Sequence, residues 1–299
     1  MSGRDDIPAR STHSDVKRLT RAREVREVVS AARAQGRRIA FVPTMGFLHE
    51  GHLSLVDRAR AEADLVVMSV FVNPLQFAPS EDLARYPRDV DGDARKAETR
   101  GVDLLFVPDV TEMYPAKPRV SVTPGSLADR WEGAVRPGHF AGVLTVVLKL
   151  LNIVQPHIIY MGRKDAQQAV LVEAMCEDLN VDVRVQVSPT VRDPDGLALS
   201  SRNVYLSPEE RRSALAIPGA LQAMQGAFTD AAVRDGDSLI AAGRAVLERE
   251  PSVRVEYLAL VDPRTLEPRE SEVDTGDLVL VAARVGNTRL IDNIVLGAT

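Results

Sequence analysis

Residues 39–52 run Ile39-Ala-Phe-Val-Pro43-Thr-Met-Gly46-Phe-Leu-His49-Glu-Gly-His52. A short apolar run closed by a proline suits a strand buried on both faces of a parallel sheet, where apolar residues need not alternate with polar ones. Gly46 lets the backbone turn tightly off that strand. A helix beginning near Gly51 then places Leu53, Val56 and Arg60 on one side, with Leu55 and Ala59 beside them. The same rhythm extends outward. Upstream, Val25, Val28, Val29 and Ala32 recur at helical spacing over 21–34, and Gly36 marks the stop. Downstream, strands are predicted over 65–72, 103–107, 157–161 and 181–187, separated by helices over 90–99, 140–154 and 164–179. This alternation predicts a Rossmann-like, doubly wound α/β sheet whose ligands bind at the carboxyl ends of its strands.

The pattern changes after Thr190. A polar turn at Asp193-Pro-Asp-Gly196 precedes two Ala-rich helices (208–225 and 230–249) and three β-rich segments (253–261, 278–284 and 288–296), the last two joined by a Gly286-Asn287 hairpin turn. The expected organisation is a loose polar leader over 1–20, the Rossmann-like domain over 21–190 and a smaller α+β domain over 191–299.

Composition narrows the function classes. The 299 residues carry 37 Lys and Arg against 42 Asp and Glu, a formal charge of −5, and aromatics are 4%. No basic strip interleaved with aromatics is present, which argues against nucleic acid as a partner. One cysteine, Cys176, excludes an intrachain disulfide and a cysteine-rich metal site. The polar N-terminus has no apolar signal core, and the apolar run 140–154 is shorter than the ~20 residues a bilayer span needs. A cytoplasmic protein without membrane contact is the expectation.

Five segments carry possible chemistry. At Pro43–His52, helix-opening amides and two imidazoles one turn apart form a good polyphosphate site; the same histidines also suit capping, packing or, weakly, zinc. Tyr160-Met-Gly162-Arg-Lys164-Asp165-Ala-Gln167-Gln168 repeats the glycine-then-helix arrangement with a cation for phosphate, a carboxylate for a ribose and amides for a polar substrate, or it is a solvated helix start. Phe71-Val-Asn73-Pro-Leu-Gln76-Phe77 presents two amides to a pocket, unless Asn-Pro merely forms a turn. Asp89, Asp91 and Asp93 reach magnesium through water or phosphate, or charge a helix N-terminus. Leu199-Ser200-Ser201-Arg202-Asn203 clamps a triphosphate between domains, or is a polar loop.

Together these segments carry a resemblance. Pro43-Thr-Met-Gly-x-Leu-His-Glu-Gly-His52, Phe71-Val-Asn-Pro-x-Gln-Phe77, Arg136-Pro-Gly-His-Phe-Ala-Gly-Val143, Lys164-Asp-x-Gln-Gln168 and Ser200-Ser-Arg-Asn203 occur in the order and spacing of the pantoate–β-alanine ligase family of pantothenate synthetases, within the His-x-Gly-His nucleotidyltransferase superfamily. The resemblance runs from about residue 20 to the C-terminus. It implies that a pantoate carboxylate attacks the α-phosphate of ATP to give pantoyl adenylate and pyrophosphate, and that β-alanine then displaces AMP. By the same resemblance, Met45, Gly46, Phe47, Leu48, His49, Glu50, Gly51 and His52 contact ATP, and His52 is the acid that assists phosphate departure. Gly162, Arg163, Lys164, Asp165, Val191, Leu199, Ser200, Ser201 and Arg202 complete the nucleotide site, with His49, Lys164 and Arg202 also catalytic. Gln76, Gln168, Asn73, Pro43 and Thr44 serve pantoate and β-alanine, Glu132 lines the pocket, and Asp93 stands near Mg²⁺. The family is homodimeric, with a mobile C-terminal lid.

Two positions depart from the family pattern: Arg163 stands where a Glu is usual, and Ala166 where an aromatic is usual. Arg163 is expected to reverse a charge beside the nucleotide, and Ala166 to open space near the glutamines. For an ordinary ligase, Arg163→Glu and an aromatic at 166 are therefore expected to be neutral or beneficial. Two rivals remain. A nucleotidyltransferase acting on a phosphate ester shares the histidine pair but wants basic residues in place of Gln76 and Gln168; a catalytically altered paralogue is motivated by the two departures alone.

Overall fold

The computed structural model describes residues 16–78, 83–269 and 272–298. In chain order its elements are β1 (Lys17–Leu19), α1 (Ala22–Ala34), β2 (Ile39–Thr44), α2 (Glu50–Glu62), β3 (Leu65–Val70), α3 (Val90–Thr99), β4 (Leu104–Phe106), α4 (Val110–Met113), α5 (Glu132–Val135), α6 (His139–Val154), β5 (Ile158–Gly162), α7 (Ala166–Asp178), β6 (Arg184–Ser188), α8 (Pro208–Ala214), α9 (Ala216–Thr229), α10 (Gly236–Leu247), β7 (Val253–Val261), β8 (Leu278–Val285) and β9 (Thr288–Val295). Most of the expected leader lies outside the described residues. Its end is not loose, because Lys17–Leu19 pairs with Leu104–Phe106 as the sheet's edge strand.

The large sheet has the order β1-β4-β3-β2-β5-β6, and every pairing is parallel. From β2 the chain adds β3 and β4 on one side, then crosses back to add β5 and β6 on the other. Strand order therefore reverses between β2 and β5, and their carboxyl ends frame the crevice where such sheets bind ligands. Strand alternation feeds both faces: Ile39 and Phe41 join the core under α1, α6 and α7, while Ala40 and Val42 join the core under α2 and α3. All four are fully buried. Burying a side chain such as Phe41 stabilises the fold by about 2–3 kcal/mol.

One glycine sets how helix and loop meet. A Cβ on Gly142 would lie 2.2 Å from the Leu75 carbonyl oxygen, so only glycine lets α6 rest against the 3₁₀ turn Pro74–Gln76. That contact places the Asn73–Gln76 segment beside the crevice.

The second unit is an antiparallel meander, β7-β8-β9, covered by α8, α9 and α10 through Ile217, Leu221, Met224, Leu239 and Val281. The single helix expected over 208–225 is two, and the next begins at Gly236 because Asp235 caps it through the Ser238 amide. Against the large sheet, Ala166 packs with Ala259, Val261, Leu278 and Leu280. Among the described residues no helix is long and apolar enough to cross a membrane. Cys176 is buried, and burial pushes its thiol up to about 11, which leaves it unreactive.

Candidate active site

The loop leaving β2 is shaped by Asp93. Gly46 (φ +83°) and Phe47 (φ +52°) are both left-handed, and the chain wraps around the Asp93 carboxylate, which accepts the amides of Phe47 (2.8 Å) and Leu48 (2.7 Å). A Cβ on Gly46 would lie 2.8 Å from Asp93 Oδ2 and from Val70 Cγ1, so conformation and space both demand glycine. Asp93 is buried at 1% exposure, which raises its pKa while the two amides oppose the rise. Two amides of the loop before α2 are thus spent on Asp93. Those at the start of α2, Glu50 and Gly51, are the ones a helix leaves open for an anion.

His49 caps α2 and lies against His52, with ring centroids 4.0 Å apart. A Cβ on Gly51 would come within 2.9 Å of the His49 ring, so the glycine makes room for the imidazole. Burial, then the charge of Lys164, lowers His49 to about 4; burial, then His49, lowers His52 to about 3. Both rings are neutral at pH 7. His52 Nδ1 accepts the His49 amide (3.3 Å), so its proton sits on Nε2. His52 is therefore a neutral hydrogen-bond donor in the free protein.

Across the crevice, the turn after β5 supplies Lys164 and Asp165, with Nζ and Oδ1 3.8 Å apart. Burial would raise the Asp165 pKa, but the charges of Lys164, Arg202 and Arg136 outweigh it and hold it below the usual carboxylate range. That balance marks where the cations converge. The Ser200–Arg202 segment is reached through an excursion closed by the Leu199 amide on the Val191 carbonyl (3.0 Å), and the Ser200 hydroxyl caps its 3₁₀ turn. Asn203 anchors the segment by donating to the Ala198 carbonyl (3.0 Å).

The amides divide into partners and supports. Gln76 faces the cavity, its Nε2 donating to Met45 Sδ (3.1 Å). Asn73 stands behind it at 1% exposure: Nδ2 donates to Gln76 Oε1 and to the Gly142 carbonyl (both 3.1 Å), and Oδ1 accepts the Tyr114 hydroxyl (2.9 Å). All its groups are committed, so Asn73 braces Gln76 and does not line the pocket. Likewise Gln168 faces the cavity, while Gln167 ties α7 to the Leu127 and Arg130 carbonyls and the Glu132 amide.

Around one cavity of about 220 Å³ the structure gathers Pro43, Thr44, Met45, His49, Gly51, His52, Gln76, Gly162, Lys164, Asp165, Gln168, Val191 and Leu199–Arg202. Leu48 is instead core, and Glu50 reaches outward to Arg100 (2.6 Å). Arg163 does not line the cavity; on α7, burial raises the Glu173 carboxyl and the Arg163 charge offsets part of that rise. Ala166 borders only a residual space of about 30 Å³, because the C-terminal sheet packs on it.

Several lining residues were not singled out from sequence, Arg136, His139 and Tyr86 among them. His139 takes the Arg136 guanidinium on Nε2 (2.9 Å) and donates Nδ1–H to the Gln76 carbonyl (2.8 Å), and Tyr86 meets Ser201 through their hydroxyls (3.3 Å). Arg136 and His139 fall in a quoted motif whose Pro-Gly spacing was the available signal; nothing near Tyr86 in sequence points to residue 201. A chamber of about 540 Å³ between the two units shares Arg136, Lys164, Asp165, Ser200 and Arg202 with this cavity. Its wall is braced by Glu132, whose carboxylate takes both Arg289 guanidinium nitrogens (2.7 and 2.5 Å) and the Tyr257 hydroxyl (2.8 Å).

A switch-point crevice carrying a neutral imidazole pair, converging cations and two pocket amides defines an α/β enzyme that handles a phosphorylated ligand beside a small polar one. Residues 17–295 match the family model described as pantoate-beta-alanine ligase, and the chain belongs to that family. It is 53% identical over 276 residues to the pantothenate synthetase of Rhizobium etli, covering 92% of each chain, and 54% identical over 257 residues to that of a Roseiflexus species, covering 86% of this chain and 92% of the relative. The crystal structure of the Thermus thermophilus enzyme superposes with TM-score 0.88 at 48% identity, over 93% of this chain and 99% of that one. A Francisella tularensis pantoate-beta-alanine ligase complexed with beta-gamma ATP and beta-alanine gives TM-score 0.78 at 32% identity, over 95% and 99%.

Proposed function

We propose that this chain joins pantoate to β-alanine in two steps within one cavity. A pantoate carboxylate oxygen attacks the α-phosphorus of ATP and pyrophosphate leaves. The β-alanine amine then attacks the resulting acyl carbon, and AMP leaves with the carboxylate oxygen. The observation that carries this reading is the convergence of His49 and His52, Lys164 and Arg202, and Gln76 and Gln168 on the β2/β5 switch point. A carboxylate meeting a polyphosphate is electrostatically opposed, and cations beside the leaving group offset that repulsion as charge builds. His52 Nε2–H supplies a further donor without adding a buried charge. The apolar wall of Val143, Val147 and Met161 suits the paired methyls of pantoate, with Gln76 and Gln168 for its hydroxyls and carboxylate.

Magnesium fits this site only as part of the substrate. Both Asp93 oxygens are taken by loop amides, and among the described residues no group of three or more His, Cys, Asp or Glu side chains is placed to hold a metal. Mg²⁺ characteristically rides on nucleotide phosphates with several waters, so MgATP is the expected nucleotide and Asp93 shapes the loop. A cytoplasmic homodimer is part of the proposal. An apolar groove of about 340 Å³ beside Met113, Tyr114, Val122 and Leu148, next to the 86% exposed Val120, supports a self-association face, which sedimentation tests. The test of function is incubation with MgATP and pantoate, with and without β-alanine. β-Alanine-dependent AMP and pantothenate are expected, and their absence overturns the reading.

A further inference from the structure

Two residues of β9, the last strand of the C-terminal sheet, reach back to the nucleotide site. Asn293 on β9 is 3% exposed, and its Nδ2 donates to the carbonyls of both Arg163 (2.8 Å) and Lys164 (2.9 Å). Its neighbour Asp292, 4% exposed, holds Arg192 through two bonds (2.6 and 3.0 Å), and Arg192 belongs to the excursion that presents Val191 and Leu199. Two adjacent residues of β9 thus grip the turn after β5, which carries Lys164, and the excursion that leads to Ser200–Arg202.

The chemistry of residue 293 is specific. Two neighbouring carbonyls need two N–H donors from one point, and a primary amide supplies both without a buried charge. The assignment of nitrogen and oxygen is fixed by those partners, because an oxygen there would face two acceptors. Asn293 Oδ1 is left buried without a partner, an arrangement an apolar residue would avoid if only the stability of the sheet mattered. The donors land on the backbone on either side of the Lys164 Cα, and so set where its ammonium points. We propose that Asn293 is a positioning residue for Lys164, so that docking of the C-terminal sheet sets the cation at the reacting phosphate. This rests on the ligase reading above only for its choice of reaction.

The test is a double-mutant cycle on the full chain with Asn293→Leu and Lys164→Ala, read in adenylate formation and in the dissociation constant for MgATP. Asn293→Leu in the native background is expected to lower kcat by ~10-fold or more while moving the pantoate KM less than ~3-fold; in the Lys164→Ala background it is expected to cost less than ~2-fold, because residues acting through one another are not additive. Equal factors in both backgrounds, or native kcat for Asn293→Leu, overturn the proposal. If Asn293→Leu does not fold, Asn293→Ser, which keeps one donor, runs the same cycle and is expected to lie between. If the chain makes no β-alanine-dependent AMP, the ligase reading fails while the MgATP cycle still decides the Asn293 proposal; additive or absent effects on nucleotide binding then overturn it.

Discussion

The Glu132 to Arg289 bridge offers the sharpest quantitative test of how the two units hold together. Glu132 sits on α5 of the first unit and Arg289 on β9 of the second, with side-chain exposures of 9% and 16%. Breaking a buried pair by removing one charge typically costs about 3–5 kcal/mol. Here Arg289 keeps a second carboxylate, Glu256 at 2.7 Å, and Glu132→Gln retains one oxygen able to accept. The loss is therefore set lower, at ~2 kcal/mol, which corresponds to about a 30-fold shift in docking of the second unit. Urea unfolding at pH 7 reads the free energy, and limited proteolysis reads undocking. The pH dependence supplies a signature. Burial pushes the Glu132 carboxyl up, but the Arg289 hydrogen bonds and charge and the Tyr257 hydroxyl outweigh it and hold it below the ordinary range. A depressed carboxyl contributes stability above its unfolded pKa and loses it as pH falls through the folded one. The native chain should thus lose this contribution in acid, and Glu132→Gln should show no such component. A variant within ~0.5 kcal/mol of native at pH 7, where surface substitutions fall, would refute a coupling role for the bridge.

Four further outcomes are expected. His52→Ala should slow adenylate formation by ~10²-fold, as for one lost transition-state donor, while leaving the fold intact; an unchanged rate would make His52 purely structural. Because His49 and His52 are held at about 4 and about 3, the unfolded chain binds protons that the native one refuses, so stability should fall from pH 7 to 5 by about 1–2 kcal/mol per histidine. Replacing each by Asn should flatten that slope in urea titrations. Asp93→Asn keeps one acceptor and turns an amide toward the loop, so it should cost about 1–3 kcal/mol and lower kcat/KM with no change in the Mg²⁺ concentration needed for half-maximal rate; a raised Mg²⁺ requirement would make Asp93 a ligand. Finally, Ala166→Phe should destabilise by about 1–3 kcal/mol through overpacking, reversing the expectation drawn from the family pattern.

Much of this molecule was legible from local pattern. Continuous apolar runs such as Leu65–Val70 identify buried parallel strands, and glycines at strand ends identify turns, because both depend on residues a few positions apart. Helix joints were less legible: the α8/α9 break at Leu215 has no side-chain cap to mark it, and the start of α10 hangs on capping by Asp235. Strand β1 was missed because three residues carry no periodicity and gain a partner only in β4. In the site, residue types announced the two imidazoles, Lys164, Arg202, Gln76 and Gln168, since each is a polar group beside a turn. Which amide of a pair faces the cavity was not announced, and Asn73 and Gln167 proved to be supports.

The sequence by itself determined the layers, the place of the second unit and the family, since strand, helix and motif are written in short-range order. Tertiary structure alone decided that β2 and β5 are neighbours, that Asp93 occupies the loop amides, and that Asp292 and Asn293 reach the segments bearing Arg192 and Lys164. The physical reason is common to all three. Burial depth and hydrogen-bond partnership depend on groups separated by tens to more than a hundred positions along the chain, and a carboxylate or amide changes its task from ligand to brace according to what the fold brings within 3 Å of it.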